Sequence, residues 1–241
     1  MMITKETTEL RHLDYHTGQT ILIDKPFRWT SFKVVALIRK TVGAKKVGHS
    51  GTLDPLATGL LILCTGKKTR ELENYIGLEK TYTGTFIIGK FSKTFDLEAE
   101  VEDVSIPDDV NEEKIHELKN KFMGDILQTP PMFSAKKING KRLYKLARKG
   151  KEIEVPPRMV TVHEFEITSI NIPEISFRIR CSKGTYIRSI ADDLGKSLGT
   201  SAVLGSLRRT KIGDFDIDNA LLVDDFIRRF NTADSLNQVT S

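Results

Sequence analysis

Apolar positions along the chain change their period repeatedly, and each change marks an element. Residues 20–23, Thr-Ile-Leu-Ile, form a short unbroken run that meets Asp24-Lys25-Pro26, as a buried strand entering a turn does. Val34, Val35, Leu37, Ile38 and Val42 then recur at helical spacing, with Ser31 in front as N-cap and Gly43 behind as stop. A second continuous apolar run covers 60–64, a short helix is expected around 68–76, and 81–88 is rich in Thr, Tyr, Phe and Ile, a strand composition. Ile115, Leu118 and Phe122 mark one face of another helix, and Gly124 opens a strand-like piece ending at Pro130-Pro131. Ile175, Phe177, Ile179 and Cys181 alternate with polar residues, the signature of a strand with one buried face. After Lys183-Gly184 the spacing returns to helical through Ile187, Ile190, Leu194 and Leu198. A strand around 207–212 and a helix over 221–230 close the pattern. Strands and helices interleave without a regular βαβ beat, which predicts an α+β fold on a mixed or mostly antiparallel sheet.

The polar first residues predict a loosely held arm over 1–19, a main domain over 20–230 and a polar tail over 231–241. Hydrophobic content of 39% and charged content of 29% across 241 residues describe a globular chain with a substantial core. A net charge of +5 is mild but unevenly distributed. Residues 136–151 carry eight basic residues and no acid, whereas 96–113 carry nine acids and no base. The basic block also holds Tyr144 and lies between Pro130-Pro131 and Pro156-Pro157, so a protruding thumb over about 131–158 that faces nucleic acid is expected. Cys64 and Cys181 sit inside apolar or alternating segments and read as small core residues. No signal-like or bilayer-length apolar run occurs, so a cytoplasmic protein is expected, and without a coiled-coil seam or long exposed edge a monomer is expected.

Among the polar motifs, VGHSGTLDPLATG over 47–59 stands out. Pro55 pushes Asp54 out of the helical region, so the carboxylate is held extended on a loop that enters a buried strand. Taken alone the spacing favours a plain Asp-Pro turn. Gly66-Lys67-Lys68-Thr69 is not a phosphate loop, because the spacing from Gly59 is too long and Lys68 occupies the magnesium-binding hydroxyl position. His12, Asp14 and His16 lack a fourth ligand and predict no metal site.

Six segments in order, LIDKPFRWTSFKVV, VGHSGTLDPLATGLLILCTGKKTR, KTYTGTFIIG, PPMFSAKKINGKRLYKLARKG, CSKGTYIRSIADDLG and SLRRT, resemble the TruB family of tRNA pseudouridine synthases from about residue 21 to 216. The resemblance implies the pseudouridine-synthase fold, a uridine of the tRNA T loop (position 55) as substrate, and no metal or organic cofactor. It implies Asp54 as nucleophile, attacking either the sugar carbon or the uracil ring. Arg188 is implied as the guanidinium that keeps the carboxylate ionised and oriented, and Tyr82 as the ring that stacks on the target base and shuttles a proton. Leu207 is implied to close the pocket over uracil, and His49 to contact the RNA where the base has left the stack. Lys25 and Arg70 correspond to positions near the RNA backbone, although lysine is usual at the latter. Lys136, Lys137, Lys141, Arg142, Lys145 and Arg148 belong to the thumb that closes on the T arm, where phosphate neutralisation would make binding salt-sensitive.

Two features depart from the family pattern. Lys93 stands where an acid is usual, with Asp96 retained. The chain ends some 25 residues after the last motif, so no C-terminal PUA domain is expected. Two rival functions share the resemblance: an RNA-binding or RNA-folding module without turnover, and a guide-RNA-directed enzyme of ribosomal RNA. A glycosidase-like hydrolase would need a second positioned carboxylate, which no motif nominates.

Overall fold

The computed structural model describes residues 1–133, 137–138, 141–142 and 155–232. Its first elements are β1 (Met2–Ile3), β2 (Thr20–Lys25), α1 (Ser31–Val42), β3 (Val47–His49), β4 (Thr58–Thr65) and α2 (Leu72–Gly77). β5 (Lys80–Ile88), β6 (Lys90–Ser92), β7 (Val101–Asp103), α3 (Glu112–Lys119) and β8 (Gly124–Gln128) follow. Next come β9 (Lys137–Ile138), β10 (Lys141–Arg142), β11 (Arg158–Asn171), β12 (Glu174–Cys181) and α4 (Ile187–Ser197). β13 (Ala202–Ile212), β14 (Phe215–Asp216), β15 (Leu221–Leu222) and α5 (Val223–Thr232) complete the chain. The chain divides into two compact units, one of residues 1–80 with 208–241 and one of residues 81–207. The division falls within β13.

In the first unit β2 is the organising strand. It runs antiparallel to β4, from Thr20 opposite Cys64 to Lys25 opposite Gly59, and parallel to β1 and β15. β4 also pairs with β3, and its start lies parallel to β13, with Arg209 opposite Gly59. The sheet is therefore mixed. α1 and α5 cover it through Val34, Ile38, Leu61, Leu63 and Phe226, all fully buried. The helical periodicity of α1 is as expected, but its cap moves by one residue. Thr30 accepts from Lys33 N, and Ser31 becomes the first helical residue. Gly43 ends the helix in the left-handed region, where it has no steric penalty.

The N-terminal arm, expected to be loosely held, is packed. Ile3, Leu10 and Tyr15 are buried, the Tyr15 hydroxyl donates to Leu10 O, and Arg229 of α5 donates to the carbonyls of Lys5 and Thr7. Three apolar anchors spaced through a polar stretch are too sparse to register as periodicity, yet each finds the core.

In the second unit the order is β13, β5, β12, β11, β8, with β11 antiparallel to both neighbours. Phe86 and Phe177 stack at 4.1 Å, and Phe165 meets both edge-on. The alternation along β12 is as expected, with Ile175, Phe177, Ile179 and Cys181 inward. The 14-residue β11 has no counterpart in the apolar pattern of the sequence, because register shifts between Val162 and Glu164 and between Ile167 and Ser169 break its alternation. The apolar face of α4 buries Ile187, Ile190 and Leu194, and Leu198 follows as its C-cap.

Of the thumb, β9 and β10 pair antiparallel, with Lys141 opposite Ile138 and Arg142 opposite Lys137. Lys136, Lys145 and Arg148 lie outside the described residues. Cys64 and Cys181 are both buried thiols. Among the described residues no His/Cys/Asp/Glu cluster suits a metal, and no helix is long and apolar enough to cross a membrane.

Candidate active site

The loop that carries Asp54 connects β3 to β4 and is anchored from three directions within the first unit. Ser31, at the start of α1, donates its hydroxyl to Leu53 O (3.1 Å) and accepts from Leu53 N (2.9 Å). Lys25, at the end of β2, is fully buried and donates its ammonium to Trp29 O (2.6 Å), Pro26 O (3.0 Å) and Pro55 O (3.3 Å). Arg209, on β13, donates from Nε to Leu60 O (2.8 Å) and from Nη2 to Gly51 O (3.2 Å). Asp54, half-buried, is thus flanked by two residues whose backbones are tied to neighbouring elements, and Ala57 N closes the turn on Asp54 O at 3.1 Å. Rigid presentation of a single carboxylate follows from the local chemistry, as the Asp54-Pro55 step suggested.

The electrostatics of this half are those of a carboxylate among cations. Burial brings the Lys25 ammonium down to about 8; the Asp54 charge raises it, the Arg209 charge lowers it and Asp24 raises it. Lys25 was expected near the RNA backbone. It is buried, and its three carbonyl partners make it a support for the Asp54 loop. His49 lies on β3 opposite Leu63, and its Nδ1 accepts from Gly51 N at 3.2 Å. Burial, reinforced by the Arg209 charge, lowers its pKa, against a smaller opposing effect of the Gly51 hydrogen bond. Arg70 is exposed in the 3-10 turn Gly66–Glu71, open to a phosphate. Asp24 holds Arg208 through both oxygens (3.1 and 2.6 Å), and the two help line a cavity of about 300 Å³ with Pro26, Trp29 and Thr58.

The second unit holds Tyr82, Arg188 and Leu207, the other residues that the resemblance implies. Tyr82 is 9% exposed, near the start of β5. Leu207 is half-buried on β13, immediately before Arg208. Arg188 is buried in the first turn of α4, after the N-cap Tyr186, whose N–H donates to Gln128 Oε1 at 2.8 Å. Its guanidinium donates to Thr94 O and Phe133 O, both at 2.9 Å, and its Nε lies 3.7 Å from Asp96 Oδ2. Asp96 in turn accepts from the Thr94 hydroxyl (2.6 Å) and from Glu98 N (3.0 Å). Lys93, the unusual residue of this turn, is exposed, while Thr94 and Asp96 beside it are buried.

Three residues carry more than their sequence context suggests. Asp96 reads only as a retained acid, Ser31 as a cap, and Arg209 as part of a basic strand edge. The signal for Arg209 is its place in the SLRRT segment, although its target, the Gly51 carbonyl, lies far away in sequence. A glycine explains why that approach is possible. A Cβ at Gly59 would lie 2.3–2.9 Å from Arg209 backbone atoms, and its φ of +106° suits no L side chain.

Comparison with known proteins places this arrangement. The model of the TruB family pseudouridylate synthase N-terminal domain matches residues 39–187, and that of the tRNA pseudouridylate synthase B C-terminal domain matches 188–238. The tRNA pseudouridine synthase B of Flavobacterium johnsoniae is 52% identical over 215 residues, covering 86% of this chain and 94% of the relative. That of Chloroherpeton thalassium is 50% identical over 217 residues, covering 88% and 90%. Among solved structures, a chain of a Cbf5-Nop10-Gar1 complex superposes with a TM-score of 0.70 at 29% identity. It covers 89% of this chain, which spans about half (54%) of that longer one. The fold is that of the pseudouridine synthases. With two adjoining domain models matched and about half the residues shared along nearly the full length of its relatives, the chain belongs to the TruB family of pseudouridylate synthases.

Proposed function

We propose that the chain isomerises the uridine at position 55, in the T loop of tRNA, to pseudouridine, with Asp54 as nucleophile on a base turned out of its stack. In the reaction the N1–C1′ bond breaks, the uracil turns, and C5 bonds to C1′. The C5 proton leaves to solvent and N1 takes one up, so the product is an isomer and needs neither oxidant nor cofactor. Asp54 forms the covalent intermediate that divides this exchange into two steps. Arg188 orients the carboxylate, Tyr82 stacks on the base and handles the proton, Leu207 covers the uracil, and His49 faces the RNA that the base has left. Arg70 and the basic stretch 136–151 neutralise phosphates of the T arm.

The observation that carries this reading is the threefold anchoring of the Asp54 loop by Ser31, Lys25 and Arg209. A carboxylate used only as a turn former needs no such support, whereas a nucleophile gains rate from being held in its attacking position. The relatives named tRNA pseudouridine synthase B supply the substrate class.

The test is tritium release from a T-arm stem-loop labelled at uracil C5. The intact chain releases label without any guide RNA, and Asp54→Asn releases none. Mapping of modified positions in bulk tRNA then shows position 55. Release only in the presence of a guide RNA would favour the guide-directed reading, which the likeness to chains of Cbf5 complexes keeps in view. Tight binding without release would make the chain a binding module.

A further inference from the structure

The connection from β2 into α1 carries a surface that the reaction does not use. Among the described residues Phe27 and Phe32 are the exposed aromatic side chains, at 54% and 73%. Between them and beside them lie Arg28, whose guanidinium sits 5.5 Å above the Phe27 ring, and Lys33, whose ammonium sits 3.8 Å above Trp29. Exposing two large rings five residues apart costs solvation, and neither ring serves the core.

Arg28 adds a second cost. Its φ is +63°, a left-handed conformation that glycine adopts freely and a side chain does not. A strained arginine on a rigid loop points to use of its guanidinium outside the fold. The loop is rigid because Lys25 bonds the carbonyls of Pro26 and Trp29 while also holding Pro55 of the Asp54 loop. Ser31 joins the following turn to Leu53. The segment that bears the exposed rings is therefore tied to the loop of the candidate nucleophile.

The charge of the surrounding sequence favours a nucleic-acid partner. Between Asp24 and Glu71 the sequence holds ten basic residues and one acid, Asp54 itself. Rings interleaved with cations on a strongly basic segment suit unpaired bases and the phosphates between them: bases stack on aromatic and guanidinium planes, and cations neutralise the backbone.

We propose that Phe27, Arg28, Phe32 and Lys33 form a second RNA contact, on which unpaired nucleotides of the substrate stack outside the catalytic pocket. This deepens the reading of the chain as an RNA-modifying enzyme and rests on it. Trp29 is the single tryptophan of the chain, so its emission reports this surface directly.

The experiment titrates Asp54→Asn with T-arm stem-loop and with whole tRNA, following Trp29 emission and, separately, filter-retained RNA. Steady-state turnover is measured on the otherwise native chain. Emission should change on saturation. The double variant Phe27→Ala/Phe32→Ala should weaken retention and raise KM by about tenfold, with kcat and melting temperature unchanged, as the loss of one stacked base implies. Arg28→Gly should melt no lower than the native chain, because the strain is relieved, and yet bind RNA more weakly with a shallower salt dependence. Unchanged affinity and KM in the double variant overturn the proposal, as does silent Trp29 emission at saturating RNA. A surface built for a protein partner gives that same result. Should the native chain turn over no tRNA, the catalytic reading fails, and emission and retention still decide whether this surface binds RNA.

Discussion

The hydroxyl of Ser31 and the backbone of Leu53 hold each other in both directions, at 3.1 Å from Oγ to the carbonyl and 2.9 Å from the N–H to Oγ. One small side chain thus satisfies both polar groups of the residue preceding Asp54 and fixes the loop to the start of α1. Ser31→Ala removes both bonds at a buried position, where each group left without a partner costs about 1–3 kcal/mol. The variant should unfold at lower denaturant, by about 1–3 kcal/mol in all because the loop can relax toward water. Its kcat should fall by about tenfold or more while KM changes little, since loosened positioning of a nucleophile lowers the chemical step. A kcat equal to that of the native chain would mean that the anchor is structural only.

Arg188 and Asp96 form the corresponding device in the second unit. Their side chains are each 5% exposed, and breaking a buried pair from one side costs about 3–5 kcal/mol. Asp96→Asn should therefore destabilise strongly and reduce turnover, because Asp96 also gathers Thr94, whose carbonyl receives the guanidinium. Lys93→Glu should shift stability by no more than about 0.5 kcal/mol, since the side chain is exposed. Paired chemical-denaturation curves for the two variants check both expectations, and equal effects would contradict them.

Gly59 gives a steric prediction. Gly59→Ala introduces a Cβ that meets the Arg209 backbone at 2.3–2.9 Å, in a conformation with φ of +106°. Backbone cannot swing aside as a side chain can, so β4 and β13 must part where Arg209 pairs with Gly59. The expected result is a loss beyond about 3 kcal/mol, at the upper end of single-substitution effects. Gly43→Ala provides the control: the site has free space and only the left-handed φ to bear, about 1–2 kcal/mol. Thermal melts of the two variants should rank accordingly.

Where side chains repeat with an unbroken period, the elements could be read in advance. α1, β12 and α4 bury the residues that their spacing marks, Leu37 of α1 only in part. Legibility fails where geometry interrupts the period or where a residue acts at a distance. β11 is long but bulged, and its alternation slips twice. Lys25 reads as a surface cation because lysine usually is one, and only the tertiary structure reveals three carbonyls converging on it. Asp54 was visible because its restraint is local, a proline following in sequence. Arg209 was not, because its target is the carbonyl of Gly51, remote along the chain. Function residing in loops supported by distant strands is legible from motif, and its mechanics are legible only from structure.

Lys25 also makes stability depend on pH in a direction that can be checked. Its ammonium titrates at about 8 in the folded chain against an ordinary 10.5, chiefly because it is buried. Below pH 8 the group is charged whether the chain is folded or not, so its burial weighs on the folded state in full. Between about 8 and 10.5 the unfolded chain keeps a proton that the folded chain has released, and stability due to this residue therefore rises with pH. Lys25→Met abolishes that titration. The difference in unfolding free energy, native minus variant, should grow from pH 7.5 to 10, and a flat or falling difference would show that the ammonium is not desolvated. Turnover runs the other way: the neutral amine donates more weakly to Pro55 O, so the native chain should lose kcat above pH 8 as the Asp54 loop loosens. The variant, which lacks the anchor at every pH, should begin at least about tenfold slower and show no such decline.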